Sequence, residues 1–357
     1  MLSATDPRRP IRAVMATEFW HGSTGRALAQ GLRREGWDVA EVDLGSYLGR
    51  AHGLIHRIAN RLLSPRGIAA YNREILDHAA RVDAEVLVTV KGSYITTETL
   101  ATLQQRGVRT VNFYPDVAYN HDGSSPQAYA RYDQIVTTKS YHLDHLRETY
   151  GADRTGFVHH GYAPLVHARQ HEGDVPYRWD ISHIGNFSPY KFNHMLAVAQ
   201  AFPERTIAVI GNGWSGPAQG TALERHVLGY PLVGDYFARA IEESRINVAM
   251  HHGPVPPDGW QDVTSTRTFE IPAAGGFMLH IDNDEVRSLF VPGEEIDIFA
   301  DTASLCARIG YYLDHDDDRR RIAAAGHARC VPAYSLDARA GELAALLRAR
   351  GIVRGGA

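Results

Sequence analysis

Residues 180–214 read DISHIGNFSPYKFNHMLAVAQAFPERTIAVIGNGW. An apolar run, DISHI, ends in a glycine turn, and residues from about 191 to 202 then carry helical periodicity. A second apolar run, TIAVI, ends in a second glycine turn. Short apolar runs separated by a helix of this length imply parallel strands joined by a crossover helix. The pattern extends outward on both sides. Downstream come a helix near 235–244, INVAMHH (246–252), FMLHID (277–282), and helices over 302–313 and 317–328. Upstream, IRAVMATEF, DVAEVDL, EVLVTVKG, RTVNFYP, QIVTTK and GFVHHG alternate with helices near 24–36, 51–82, 97–106 and 141–150. Between the halves the chain turns polar from 163 and loses periodicity. The expectation is an α/β chain of two doubly wound domains, 1–165 and 180–335, with a linker at 166–179 and an amphipathic helix, 336–357, packing back on the first. Such sheets bind ligands at the carboxyl ends of their strands, where chain order reverses, so the two domains are expected to face a cleft.

A chain of 357 residues, 44% hydrophobic, suits two packed cores. The 37 basic and 41 acidic residues give a formal charge of −4 with no long single-sign block, which speaks against a nucleic-acid partner or a membrane-surface patch. Cys306 and Cys330 are lone cysteines, suited to a reducing compartment. The opening MLSATDPRRPIRAVMA holds no run long enough for a signal peptide, and nowhere do about eighteen apolar residues follow one another, so a cytoplasmic protein without a transmembrane segment is expected.

The stretch DVTSTRTFEIPAAGGF, 262–277, carries the chemistry. Proline tolerates helix only in the opening turn, so Pro272 predicts a helix starting close to Phe269, with Ser265, Thr266 and Thr268 as caps and Gly275–Gly276 at its end. That places Glu270 in the first turn and Arg267 just ahead of it. Orphan N–H groups at such a start attract phosphate, Arg267 adds a forked donor, and Glu270 can accept from two vicinal hydroxyls. Against this, residues three apart can simply pair on a helix surface.

Other turns are candidates by position. HGSTGR (21–26) follows the first strand, so its backbone and His21 stand where a ligand would enter, although a ligand-free turn reads equally well. Gly185 and Asn186 hold the same place in the second domain, and Lys191, at the following helix start, would neutralise a diphosphate unless it is merely exposed. GNGWSG (211–216) matches a dinucleotide fingerprint, but Pro217 follows and the chain reads as irregular to about 222. Gly213 and Trp214 therefore read better as a loop lining a nucleotide pocket. In DND (282–284) helix capping outweighs metal binding, and no metal site is assigned. His159–His160 and His251–His252 cannot each chelate one ion, because strand neighbours point to opposite faces. His142 and His145 lack a third ligand. No GxSxG elbow is present. Asp116 lies just beyond a buried strand with Tyr119, Asn120 and His121. It could deprotonate or hold an acceptor hydroxyl, or only cap a turn.

With these residues assembled, the chain resembles the CgeB-type (spore maturation) glycosyltransferases, relatives of the group 1 transferases with the two-domain GT-B fold. DISHIGN, VIGNGW, SRINVAM, TSTRTFEIPAAGGFML and LFVPGEEIDIF carry the likeness, over about residues 180–330, and VHHGYAP leads into the hinge. The resemblance implies that Glu270 binds the nucleotide ribose and Arg267 with Lys191 the diphosphate. Asp262 stands where the family has its first glutamate, and anomeric configuration is retained. The expected function is transfer of a sugar from a nucleotide-sugar donor, a substrate and not a cofactor, to an acceptor hydroxyl of unknown identity, without a metal. Catalytic candidates are His21, Asp116 and Asp262. Donor candidates are Gly185, Asn186, Lys191, Gly213, Ser265, Thr266, Arg267 and Glu270, with Trp214 or Tyr230 near the base. The alternatives are an NAD-dependent nucleotide-sugar-modifying enzyme and a noncatalytic nucleotide-sugar-binding protein of the same fold.

Overall fold

The structure, a computed structural model, describes residues 9–48, 54–118, 123, 125–171, 173, 175–255 and 259–354. The loop residues Tyr119, Asn120 and His121 lie outside these. The chain divides into two compact units, Met1–His159 with Leu336–Ala357, and His160–Ser335.

In the first unit the strands are β1 Arg12–Thr17, β2 Asp38–Asp43, β3 Val86–Val90, β4 Arg109–Tyr114, β5 Gln134–Thr137 and β6 Thr155–Phe157. Its helices are α1 Thr24–Arg34, α2 Leu54–Arg81, α3 Thr97–Gln105, α4 Pro126–Tyr129, α5 Leu143–Tyr150 and, from the far end of the chain, α14 Leu336–Ala349. All six strands are parallel, in the order β2-β1-β3-β4-β5-β6. Because successive side chains of a strand point to opposite faces, the sheet feeds two cores. Ala13, Met15, Val86, Val88 and Val111 pack on one side, and Val14, Ala16, Leu87 and Ile135 on the other. The first core is closed by α14, whose Ala340, Leu343, Ala344 and Leu347 are buried against it. Gly31 of α1 permits the approach, since a Cβ there would lie 2.6 Å from that of Ala340.

The second unit repeats the plan with β7 Trp179–Ile184, β8 Ile207–Ile210, β9 Ser244–Ala249, β10 Met278–Ile281 and β11 Asp297–Phe299. Its helices are α6 Pro164–His167, α7 Pro189–Ala201, α8 Ser215–Ala218, α9 Asp235–Glu242, α10 Thr266–Ala273, α11 Asp284–Leu289, α12 Thr302–Asp314 and α13 Asp316–Cys330. The order β11-β10-β9-β7-β8 is again wholly parallel. Ile181, Val209, Ile246 and Leu279 pack on one face, and Ile184, Ala208, Ile210 and Met278 on the other. Each fully buried Ile or Leu here contributes about 1.5–3 kcal/mol. The polar segment read as a linker, 166–179, falls inside this unit, and α6 overlaps its start, burying Val166 and His167.

In both sheets the chain starts in the middle, steps one way to the second strand and then crosses to the other side for the third. The switch points, β1/β3 and β7/β9, are where ligands settle in doubly wound sheets.

Candidate functional site

At the carboxyl ends of β7 and β8, beside the switch point, two glycine turns are bound together. The Gly185 N–H donates to Ile210 O at 2.8 Å, and that of Phe187 to Asn212 O at 2.9 Å. Asn186 Oδ1 accepts from the Asn212 backbone at 3.2 Å. Gly211, at φ +149°, lies so close that a Cβ on it would sit 2.1 Å from Gly185 O. Trp214, expected near the base, is instead fully buried in the core, where its indole N–H donates to Gly185 O at 2.8 Å. An unexposed ring cannot stack on a base, and this one braces the loop from beneath. GNGWSG leads only into the single turn of α8, and the chain is otherwise turns and bends to Leu223. Gly213, at φ +85°, packs toward Phe187. Tyr230, the other base candidate, is half exposed but lines a groove with Arg178 and Trp179, at the amino end of β7 and so at the wrong edge of the sheet.

Beyond Gly185, Ser188 caps α7 and Pro189 opens it, a pairing that suits a helix start. Lys191 stands in that first turn. It is buried rather than surface-exposed, with Nζ donating to Asn186 O at 3.1 Å. Burial, then the neighbouring Arg267 charge, pushes its pKa down to about 8 against the pull of Asp262. An anion beside this cation would offset that burial and the Arg267 charge. Asp262 is itself buried and so faces protein rather than open solvent.

α10 starts earlier than the sequence reading placed it. Ser265 caps the helix, and its N–H donates to Thr268 Oγ1 at 3.1 Å, which fixes the start at Thr266. Arg267 therefore lies within the first turn and Glu270 in the second. Pro272 sits near the end of this 8-residue helix, where it deletes only the bond to the Thr268 carbonyl. Arg267 Nε donates to Ile184 O at 2.8 Å, Nη1 donates to Thr266 Oγ1 at 3.0 Å, and the guanidinium lies 4.4 Å from the centre of the Phe237 ring. It also pairs with Glu270, which is buried while Arg267 is partly exposed, so this is not the surface pair weighed above. Burial raises the Glu270 pKa, yet His167, whose Nδ1 stands 3.4 Å from Oε1, with Arg267 and His160 outweighs it and holds the group below the usual range. Glu270 is thus an ionised acceptor.

His183, which the sequence reading passed over, lies under this loop. Its Nδ1 faces Val248 O at 2.9 Å, and a carbonyl can only accept, so Nδ1 carries the proton. Burial, then Lys191, lowers its pKa to about 3, and burial lowers that of His280 to about 4. Both folded values lie below the ordinary 6.5, so the unfolded chain binds protons first as pH falls. Urea midpoints should drop between about pH 6.5 and 4, less steeply in His183→Asn; a flat profile for the parent protein would refute the assignment.

DND takes the capping role: Asn283 Oδ1 accepts from the Val286 N–H at 2.9 Å, and Asp282 holds Arg287 at 2.7 and 2.8 Å. Among the described residues no group of three His, Cys, Asp or Glu is placed to hold a metal. In the first unit His21 is exposed in the turn after β1, and Asp116 pairs with Lys91, Nζ to Oδ2, at 2.8 Å. His142 is buried, facing Thr137 Oγ1 and Val117 O at 3.1 and 2.8 Å. No described helix is long and apolar enough to cross a membrane.

A search of curated protein sequences returns no match. Among solved structures, sucrose-phosphate synthase from Thermosynechococcus elongatus aligns over 95% of this chain and 98% of its own, at 14% identity and TM-score 0.65. AviGT4, a glycosyltransferase involved in avilamycin A biosynthesis, aligns over 96% and 99%, at 16% and 0.61. Anabaena HepE in complex with UDP aligns over 95% and 100%, at 13% and 0.58. These likenesses show the GT-B fold, two parallel-sheet Rossmann-like domains. Residues 191–345 match the family described as "Glycosyl transferase-like".

Proposed function

We propose that the protein is a metal-independent, retaining glycosyltransferase of the CgeB type that moves a sugar from a nucleoside-diphosphate donor to an acceptor hydroxyl. The observation that carries this is the buried Lys191 in the first turn of α7, close to the Arg267 charge and at the carboxyl end of β7 in the second sheet. As the bond from the anomeric carbon to the diphosphate breaks, its electron pair moves onto the departing oxygen. Lys191, Arg267 and the α7 N-terminus supply the countercharge. Glu270, ionised and five residues beyond its cap, accepts from the ribose hydroxyls. Asp116 orients the acceptor hydroxyl, whose oxygen bonds the anomeric carbon as its proton passes to the departing diphosphate oxygen. HepE has been solved with UDP-glucose, which makes UDP the natural first probe.

UDP should bind and raise the melting temperature, and Glu270→Ala should abolish that rise; an equal rise in the variant would remove Glu270 from the site. The pH dependence has a definite sign. A diphosphate favours charged Lys191, whose free pKa is about 8, so affinity is level below that pH and falls above it. Calorimetric titration should show a loss approaching about tenfold per unit above pH 8. A level profile to pH 10 would contradict the role given to Lys191.

A further inference from the structure

The carboxyl edge of the first sheet holds a second cluster of polar and aromatic groups. Lys91 and Tyr94 follow β3 with φ of +67° and +61°, a left-handed backbone that residues with a Cβ rarely adopt. The surroundings impose it: Tyr129 OH donates to Lys91 O at 3.1 Å, Asn72 Nδ2 donates to Tyr94 O at 2.8 Å, and the Lys91 N–H donates to Phe113 O at 2.9 Å. Strain held in this way concentrates at functional positions. Its result here is that Lys91 Nζ reaches Asp116 Oδ2 at 2.8 Å while the two side chains stay 41% and 35% exposed. The register pairs Ala16 with Thr89 and Val90 with Phe113, so the turns after β1, β3 and β4 stand side by side. In the first of them Trp20 leaves 39% of its surface open. The turn carrying it is fixed, with the Ser23 N–H donating to Trp20 O and Ser23 Oγ to Glu18 O, both at 3.0 Å.

From this juxtaposition we infer that Trp20, Lys91 and Asp116 form the acceptor subsite and that the acceptor is itself an uncharged carbohydrate. A sugar ring has an apolar C–H face, which suits an open indole, and an edge of hydroxyls, each of which must both donate and accept. An ammonium beside a carboxylate offers one of each. An anionic acceptor would meet Asp116 and Glu18, whose Oε2 lies 3.4 Å from the Trp20 indole nitrogen, and a cationic one would meet Lys91, so the charges select against both. The word acceptor rests on the transferase reading, but the binding of sugar does not.

Saturation-transfer NMR on the full chain separates the two. The probes are methyl α-glucoside, methyl α-galactoside, N-acetylglucosamine and maltose, with UDP in the same sample. At least one sugar should receive saturation, weakened roughly fivefold or more by Trp20→Ala and by Lys91→Gly, with the UDP signal unchanged. Lys91→Gly also relieves the left-handed strain, so its melting temperature should hold or rise while sugar binding falls, an outcome that a purely structural lysine would not give. No saturation of any sugar, or sugar signals undiminished in both variants, overturns the inference. Loss of the UDP signal alone overturns the donor reading and leaves this one standing.

Discussion

Gly211→Ala is expected to cost about 3–5 kcal/mol of the stability of the second unit, among the largest effects of any single methyl group. The new Cβ would lie 2.1 Å from Gly185 O and 2.6 Å from Gly185 C, and both are backbone atoms. No side chain can swing aside to make room. Gly185 is held on its other side by its own N–H bond to Ile210 O and by the Trp214 indole at 2.8 Å, so it cannot retreat without breaking a buried hydrogen bond. The two glycine turns would be forced apart, and the α7 start would move with them. Equilibrium urea unfolding measures the loss. A change below about 1 kcal/mol would mean that the turns are not in the close contact described.

Lys191→Met should have the opposite profile. Methionine keeps much of the aliphatic stem and removes a charge that burial and Arg267 both disfavour, so the ligand-free protein should be as stable as the parent or more so. Affinity for UDP should nevertheless fall about 30- to 100-fold, the value of one charge-assisted hydrogen bond to a diphosphate. Melting curves with and without UDP test both halves together. A variant that binds UDP normally would show that the diphosphate lies elsewhere, and the donor site would have to be redrawn.

The two sheets were readable because the signal for them is local. Runs such as VLVTV and IAVI are apolar on both faces, and only a parallel sheet covered by helices uses such runs. Gly185 and Lys191 were readable for the same reason, since a strand, a glycine and a capped helix follow one another directly in the chain. Placement failed where packing decides. Trp214 reads as a ligand-facing aromatic in a glycine loop, but only the folded core shows that its ring is enclosed. The α10 start was misplaced because Pro272 was taken to require an opening turn, whereas the bond between Ser265 and Thr268 fixes the start and the proline comes late enough to do little harm. Arg267 and Glu270 are near neighbours in the chain, but the burial of Glu270, and the His167 beside it, depend on residues a hundred positions away. Lys91 gave no warning at all. Lysine does not favour a left-handed backbone, so nothing in the letters KGSY marks one, and only Tyr129, Asn72 and Phe113, brought in from elsewhere in the unit, impose it.

The placement of α14 bears on how the chain matures on the ribosome. Its Ala340, Leu343, Ala344 and Leu347 complete a core most of whose members are encoded before residue 160, yet the whole second unit must be translated in between. Throughout that interval the nascent first unit has an uncovered greasy stripe along α1, where Gly31 awaits Ala340. Domains usually fold in the order in which they emerge. Here the later-made unit can finish first, and the earlier one completes its core only when α14 arrives.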